Sequence, residues 1–205
     1  MRLSTFVLPA LAVGLGSALL LPTESVGYGT IGGSLSQSQR DLRVFNNFAD
    51  TQANNNTTPD ANWPGYDGAE MAIWKAAAEW ASVAHGGNGT GDPTQTAVGG
   101  SDANFDPTWQ GNATAVGNSN ENIHSEISGN GGSTLAFTET PISDGWRIRY
   151  YEDPWTYHDG PGNVPNGIDL QGVACHEFGH ALGLDHSAVF NATMFPSIRD
   201  RKSVV

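Results

Sequence analysis

The chain has 205 residues, with 9 basic against 21 acidic side chains and a formal net charge of −12. That balance excludes capture of nucleic acid or anionic membranes by bulk electrostatics, and the single cysteine excludes an internal disulfide framework. The length suits one domain with its own core.

Residues 1–27 read as a secretory signal peptide. Arg2 supplies the positive start, Phe6 to Leu21 is mostly apolar, and Ser25-Val26-Gly27 offers small residues for cleavage. The alternative is a membrane anchor, but the apolar run is short for a span and contains Pro9. No second apolar run follows, so no membrane span is expected after signal removal. The mature chain, 28–205, is expected in the secreted, extracellular space (or a periplasm).

Residues 28–40 are rich in Gly, Ser and Gln and read as a loose terminus. The segment 42–48 suits a strand with Leu42, Val44 and Phe48 inward. Residues 50–66 read as loop. Asp67 with Glu70 three residues on predicts a capping box that opens a helix over 67–84. Met71, Ile73, Trp74, Ala77, Trp80, Ala81 and Ala84 would form its buried face, and Lys75 and Glu79 its outer one. About 86–132 is Gly/Asn-rich without a sustained period and reads as an insertion. Within it Asp92, Asp102 and Asp106 offer oxygen ligands for Ca2+, although their spacing fits no defined calcium loop and a solvated loop is the competing reading. His85 and His124 have no ligand spacing and read as surface residues. Residues 134–139 and 146–151 read as strands joined by a Pro/Asp/Gly turn, and 155–158 as a short edge strand. His158 and Asp159 read as an isolated surface pair.

The densest chemistry lies in His176-Glu177-Phe178-Gly179-His180-Ala181-Leu182-Gly183-Leu184-Asp185-His186, the pattern HExxHxxGxxH. Two histidines four apart share one helix face, so both imidazoles reach one metal ion. Glu177 leans over that ion without binding it. Gly183 lets the chain leave the helix abruptly, returning His186 as a third ligand. At about 100° per residue, Leu170, Ala174, Phe178 and Ala181 fall opposite the histidines, so the helix is buried on its back and open in front. Asp169 is the expected N-cap. Cys175 lies at the edge of the apolar face and reads as a small buried thiol rather than a ligand. Three neutral imidazoles around Zn2+ leave a fourth position for water, the arrangement of a catalytic site, with Glu177 as general acid/base.

These residues resemble a known family. HExxHxxGxxH followed by a methionine is similar to the metzincin zinc endopeptidases. Met194, in Ala192-Thr193-Met194-Phe195-Pro196, resembles the metzincin Met-turn, an apolar floor beneath the metal. Ser187 directly after the third histidine, and Met-Phe-Pro, resemble the matrixin branch, the relatives of the matrix metalloproteinases. Upstream, Leu42–Phe48 resembles the first matrixin strand, 67–84 its first long helix, and Leu135–Glu139 and Trp146–Tyr150 its next two strands. The resemblance implies an α+β, metzincin/zincin-like fold: a twisted mixed sheet packed on two long helices, with the zinc cleft beneath an edge strand. In that arrangement 155–158 would be the edge that pairs with substrate backbone.

The chain departs from the family pattern in four places. No cysteine-switch propeptide is expected before the domain. The structural-zinc segment is not recognisable, although Asp159-Gly160-Pro161-Gly162 resembles part of its loop. The insertion at 86–132 is the third departure. The fourth is a truncated C-terminal subdomain without the family's terminal helix. The resemblance implies a secreted zinc-dependent endopeptidase, 28–205 being its catalytic domain, acting on protein or peptide substrates. The alternative is an inactive or truncated protease-like module that binds zinc or serves in adhesion.

Overall fold

The computed structural model describes residues 29–31, 41–61, 64–80, 108–118, 121–139, 145–160, 167–190 and 192–197. The expected signal segment 1–27, His85 and the three aspartates Asp92, Asp102 and Asp106 lie outside the described residues. No helix among the described residues is long and apolar enough to cross a membrane.

Five strands form the main sheet: β1 (Asp41–Phe45), β2 (Thr108–Asn112), β3 (Ile123–Asn130), β4 (Ala136–Glu139) and β5 (Arg147–Asp153), in the order β2-β1-β3-β5-β4. The sheet is mixed. β1 runs parallel to β2 and β3, and β3 parallel to β5, while β4 pairs antiparallel with β5 and forms one edge. Parallel neighbours need a long crossover, and α1 (Gly68–Glu79) lies in the one between β1 and β2. Two short strands, β6 (Tyr157–His158) and β7 (Ile168–Asp169), pair in parallel as a second sheet, and α2 (Leu170–Ala181) follows at once. Leu42, Val44, Ile73, Trp74, Trp146, Ile148, Tyr150, Leu170 and Phe178 belong to one buried cluster, so sheet and both helices share a core. The α+β, metzincin-like architecture expected from sequence is the observed one.

The helix expected over 67–84 is described from Gly68 to Glu79, with Trp80 as its C-cap. Its capping box does not form: the Asp67 side chain makes no cap hydrogen bond. Asn54, from a 3-10 turn at Thr51–Asn54, takes over by accepting the Ala69 N–H at 3.1 Å. The outward face is also narrower than the pattern implied, since Glu79 is buried while Lys75, paired with Asp60 at 2.8 Å, keeps partial exposure.

The larger correction concerns 86–132. Its second half, 108–112 and 123–130, is no insertion but two strands of the main sheet, one of them central. β3 escapes hydropathy because Ile123, His124, Ser125 and Glu126 are all buried although three are polar. Each of the three polar side chains has a partner from elsewhere in the chain, although His124 Nε2 and Glu126 Oε1 find none among the described residues. His124 Nδ1 lies 2.8 Å from the Tyr150 hydroxyl. The Arg149 guanidinium donates to Ser125 Oγ and to the Val116 carbonyl. Glu126 Oε2 accepts the Ala49 N–H at 2.8 Å.

His124 is therefore a core residue, packed edge-on against Trp146 and stacked near Phe178, not a surface one. Asp159 is buried too and accepts the Asn56 N–H at 2.6 Å, so the expected surface pair with His158 is replaced by a loop anchor.

Burial holds the His124 imidazole neutral, its pKa pushed down to about 3 from 6.5. Below pH 6.5 the unfolded chain gains a proton there that the native chain refuses, so stability falls as pH drops from about 6.5 towards 3. At pH 5 this one residue is expected to cost about 2 kcal/mol relative to pH 8. Urea unfolding of wild type and His124→Phe at both pH values checks it, because the difference between the two proteins should shrink by that amount at pH 5.

Candidate active site

α2 forms where the sequence places it. Asp169 Oδ1 accepts the Gly172 N–H at 3.2 Å, satisfying one of the first-turn donors. Leu170, Ala174, Phe178 and Ala181 are fully buried, as the apolar stripe required. The helix stops at Leu182, where Gly183 adopts φ +93°. Gly183 N–H bonds to His180 O at 2.9 Å and Leu184 N–H to Gly179 O at 3.0 Å, the paired bonds of a Schellman ending. A side chain with a Cβ is strained at that φ.

This turn carries His186 back over α2. One potential ligand atom from each of His176, His180 and His186 lies within 4.8 Å of the others, and no other such group of His, Cys, Asp or Glu occurs among the described residues. Two imidazoles are oriented from behind. His176 Nδ1 lies 2.8 Å from the Thr193 carbonyl and His180 Nδ1 2.7 Å from the Leu184 carbonyl. A carbonyl only accepts, so each Nδ1 carries the proton and each Nε2 keeps a free lone pair. Burial pushes the His176 pKa down to about 4, helped by the neighbouring His180 and His186, and burial lowers that of His180. Neutral imidazole is the form that binds metal, and a group of three histidine donors fits zinc.

Two further segments brace the turn. Residues 29–31 lie alongside it, with Ile31 N–H bonded to Gly183 O at 3.0 Å and Asp185 N–H to Gly29 O at 2.9 Å. Beneath, Met194 is buried, and Ser187 N–H, next to the third histidine, donates to Met194 O at 2.7 Å. A Cβ on Gly179 would collide with Met194 Sδ; the helix and the methionine floor fit because that position has none.

Glu177 is 7 % exposed and its pKa is pushed up to about 7 by burial, against the opposing effect of a hydrogen bond from Thr138. A carboxylate poised near neutrality suits proton exchange at neutral pH. Thr138 lies on β4, a contributor that no motif spacing announces. Cys175 stays outside the histidine group. Its thiol pKa is pushed up to about 12 by burial and by nearby Glu79, which keeps it protonated and inert.

A cleft of about 450 Å³ opens in front of these residues. His176, Glu177 and His186 line one part of it, Leu135 and Ala136 another, and Trp155, Val173, Phe195 and Pro196 supply apolar wall. The edge beside the cleft is thus β4 and the residues leading into it. Segment 155–158, expected to be that edge, instead pairs through β6 with β7, and Trp155 Nε1–H donates to the Thr134 carbonyl from below. The antiparallel pairing of β4 with β5 decides this: it leaves β4 outermost, with no second strand partner among the described residues.

The chain is similar to known proteins over this half. The family model for matrixin matches residues 93–205. Mouse matrix metalloproteinase-25 is 47% identical over 69 residues, 32% of this chain and 11% of the relative, and the human protein of that name is 51% identical over 69 residues, 32% and 12%. Metalloendoproteinase 5-MMP of Arabidopsis thaliana is 41% identical over 76 residues, 34% of this chain and 21% of the relative. The aligned stretches therefore span only a small part of these relatives' length. With the family model covering more than half of the chain, and with the mixed sheet and histidine triad in place, this chain belongs to the matrixin family.

Proposed function

We propose that the chain is a secreted zinc-dependent endopeptidase, with 28–205 as its catalytic domain. The observation that carries the reading is the convergence of three imidazoles and one buried carboxyl at a cleft bordered by an open sheet edge. His176, His180 and His186 would hold Zn2+, which supplies a Lewis acid for the scissile carbonyl and a more acidic water.

The chain's own groups do the rest. The carbonyls of Thr193 and Leu184 fix the tautomer of two ligands. Glu177 takes a proton from the attacking water on its carboxylate and returns it to the departing amine nitrogen, so the carboxylate is regenerated. The outer edge of β4 offers main-chain groups to an extended peptide, which sets the substrate's direction along the cleft. The apolar wall at Val173, Trp155 and Phe195 accepts an apolar side chain. Met194 supports the site from below without touching the chemistry.

The support for secretion is the charge and apolar pattern of residues 1–27. The test is to purify the mature chain, measure zinc by elemental analysis and follow casein cleavage. About one zinc per chain, cleavage abolished by a chelator and restored by added zinc are expected. A chain that binds one zinc yet leaves casein and peptide libraries intact would overturn the reading in favour of a non-catalytic zinc module.

A further inference from the structure

Thr138 touches the proposed general base. Its Oγ1 lies 3.0 Å from Glu177 Oε2 and 2.7 Å from the Glu177 main-chain oxygen. Thr138 sits on the same face of β4 as Ala136, which lines the cleft, while Phe137 between them turns the other way to pack on Tyr151. Glu177 has little other freedom, being almost wholly buried where α2 packs on β4. Among the described residues no other hydrogen bond restrains its carboxyl.

We infer that Thr138 is a positioning residue that aims the Glu177 carboxylate at the reacting water. This rests on the endopeptidase reading above. A hydroxyl both donates and accepts, and its two neighbours make use of that. While Glu177 is a carboxylate, Thr138 donates to Oε2. Once Glu177 holds the proton taken from water, Oε2 donates to Oγ1, and the threonine proton turns to the main-chain oxygen. The contact thus survives both halves of the proton cycle. A side chain without a hydroxyl would remove the hydrogen bond that fixes the carboxyl's orientation, and errors of about 1 Å there are costly in rate.

The test compares Thr138→Val, which keeps the β-branched shape, with Thr138→Ser, which keeps the hydroxyl. Thr138→Val is expected to lower kcat about tenfold or more, with KM, zinc content and melting temperature unchanged. Thr138→Ser is expected to recover kcat to within about threefold of wild type. Full kcat in Thr138→Val overturns the inference. So does a fall in melting temperature that parallels the fall in rate, or a serine variant as slow as the valine one, since either marks a structural role. Glu177→Gln is assayed beside them. If the wild-type chain cleaves no peptide, the endopeptidase reading itself fails; if Glu177→Gln cleaves normally, Glu177 is not the general base; if Glu177→Gln is inactive while Thr138→Val keeps full kcat, only the role of Thr138 falls.

Discussion

Glu177→Gln is expected to lower peptide hydrolysis by about 10²- to 10⁴-fold while zinc uptake stays at the wild-type level. The substitution keeps volume and planarity, so the buried pocket against β4 stays filled, and the amide oxygen still accepts from Thr138. What it removes is the capacity to carry a proton between water and amine. Zinc content should not change, because Glu177 is absent from the histidine group that would hold the ion. Steady-state rates and elemental analysis on the same preparation check both halves. A variant with wild-type turnover would remove Glu177 from the mechanism, and one that also loses zinc would make it a ligand.

His180→Ala is expected to abolish both tight zinc binding and activity. Two imidazoles would remain, short of the three protein ligands of a catalytic zinc site. The loss should exceed the roughly 10- to 100-fold that removal of an outer-shell partner costs, because a direct donor goes together with its bond to Leu184 O. Zinc that binds only the folded chain stabilises it by about 4 kcal/mol at a thousandfold excess over its Kd. Wild type should therefore melt at a clearly higher temperature with zinc than with chelator, and His180→Ala should melt alike in both. Persistence of a zinc-dependent shift in the variant would show that the ion is held elsewhere.

These experiments address residues that the sequence announces openly. The helix over 170–181 is legible because period, N-cap and glycine stop are all local and agree with one another. β3 is illegible for the opposite reason. His124, Ser125 and Glu126 read as surface, and only Tyr150, Arg149 and Ala49, remote in sequence, make their burial tolerable. The cap of α1 fails in the same way: Asp67 has the right identity, yet Asn54 arrives from a neighbouring turn and takes the donor. At the site, the three histidines and Glu177 follow from spacing and Met194 from the family resemblance, and the structure brings them together. Thr138 does not follow, since a threonine in a strand acquires meaning only when register sets it opposite a particular carboxylate. The cleft edge moved from 155–158 to β4 because strand order is a property of pairing, which no local pattern encodes.

Residues 29–31, lying along the turn that presents His186, have a consequence in the order of synthesis. The ligands occur late in the chain, so a growing polypeptide carries α1, most of the sheet and the cleft edge before it carries any histidine of the triad. Residues 29–31, which clasp their turn, are among the first described residues to be made. Closing that contact encloses almost everything between, a large loop whose entropic cost grows only with the logarithm of its length, but whose contacts are as non-local as the fold allows. The histidine turn is therefore held by residues far upstream in the sequence, and a chain made only as far as β5 has none of the three imidazoles that the turn gathers.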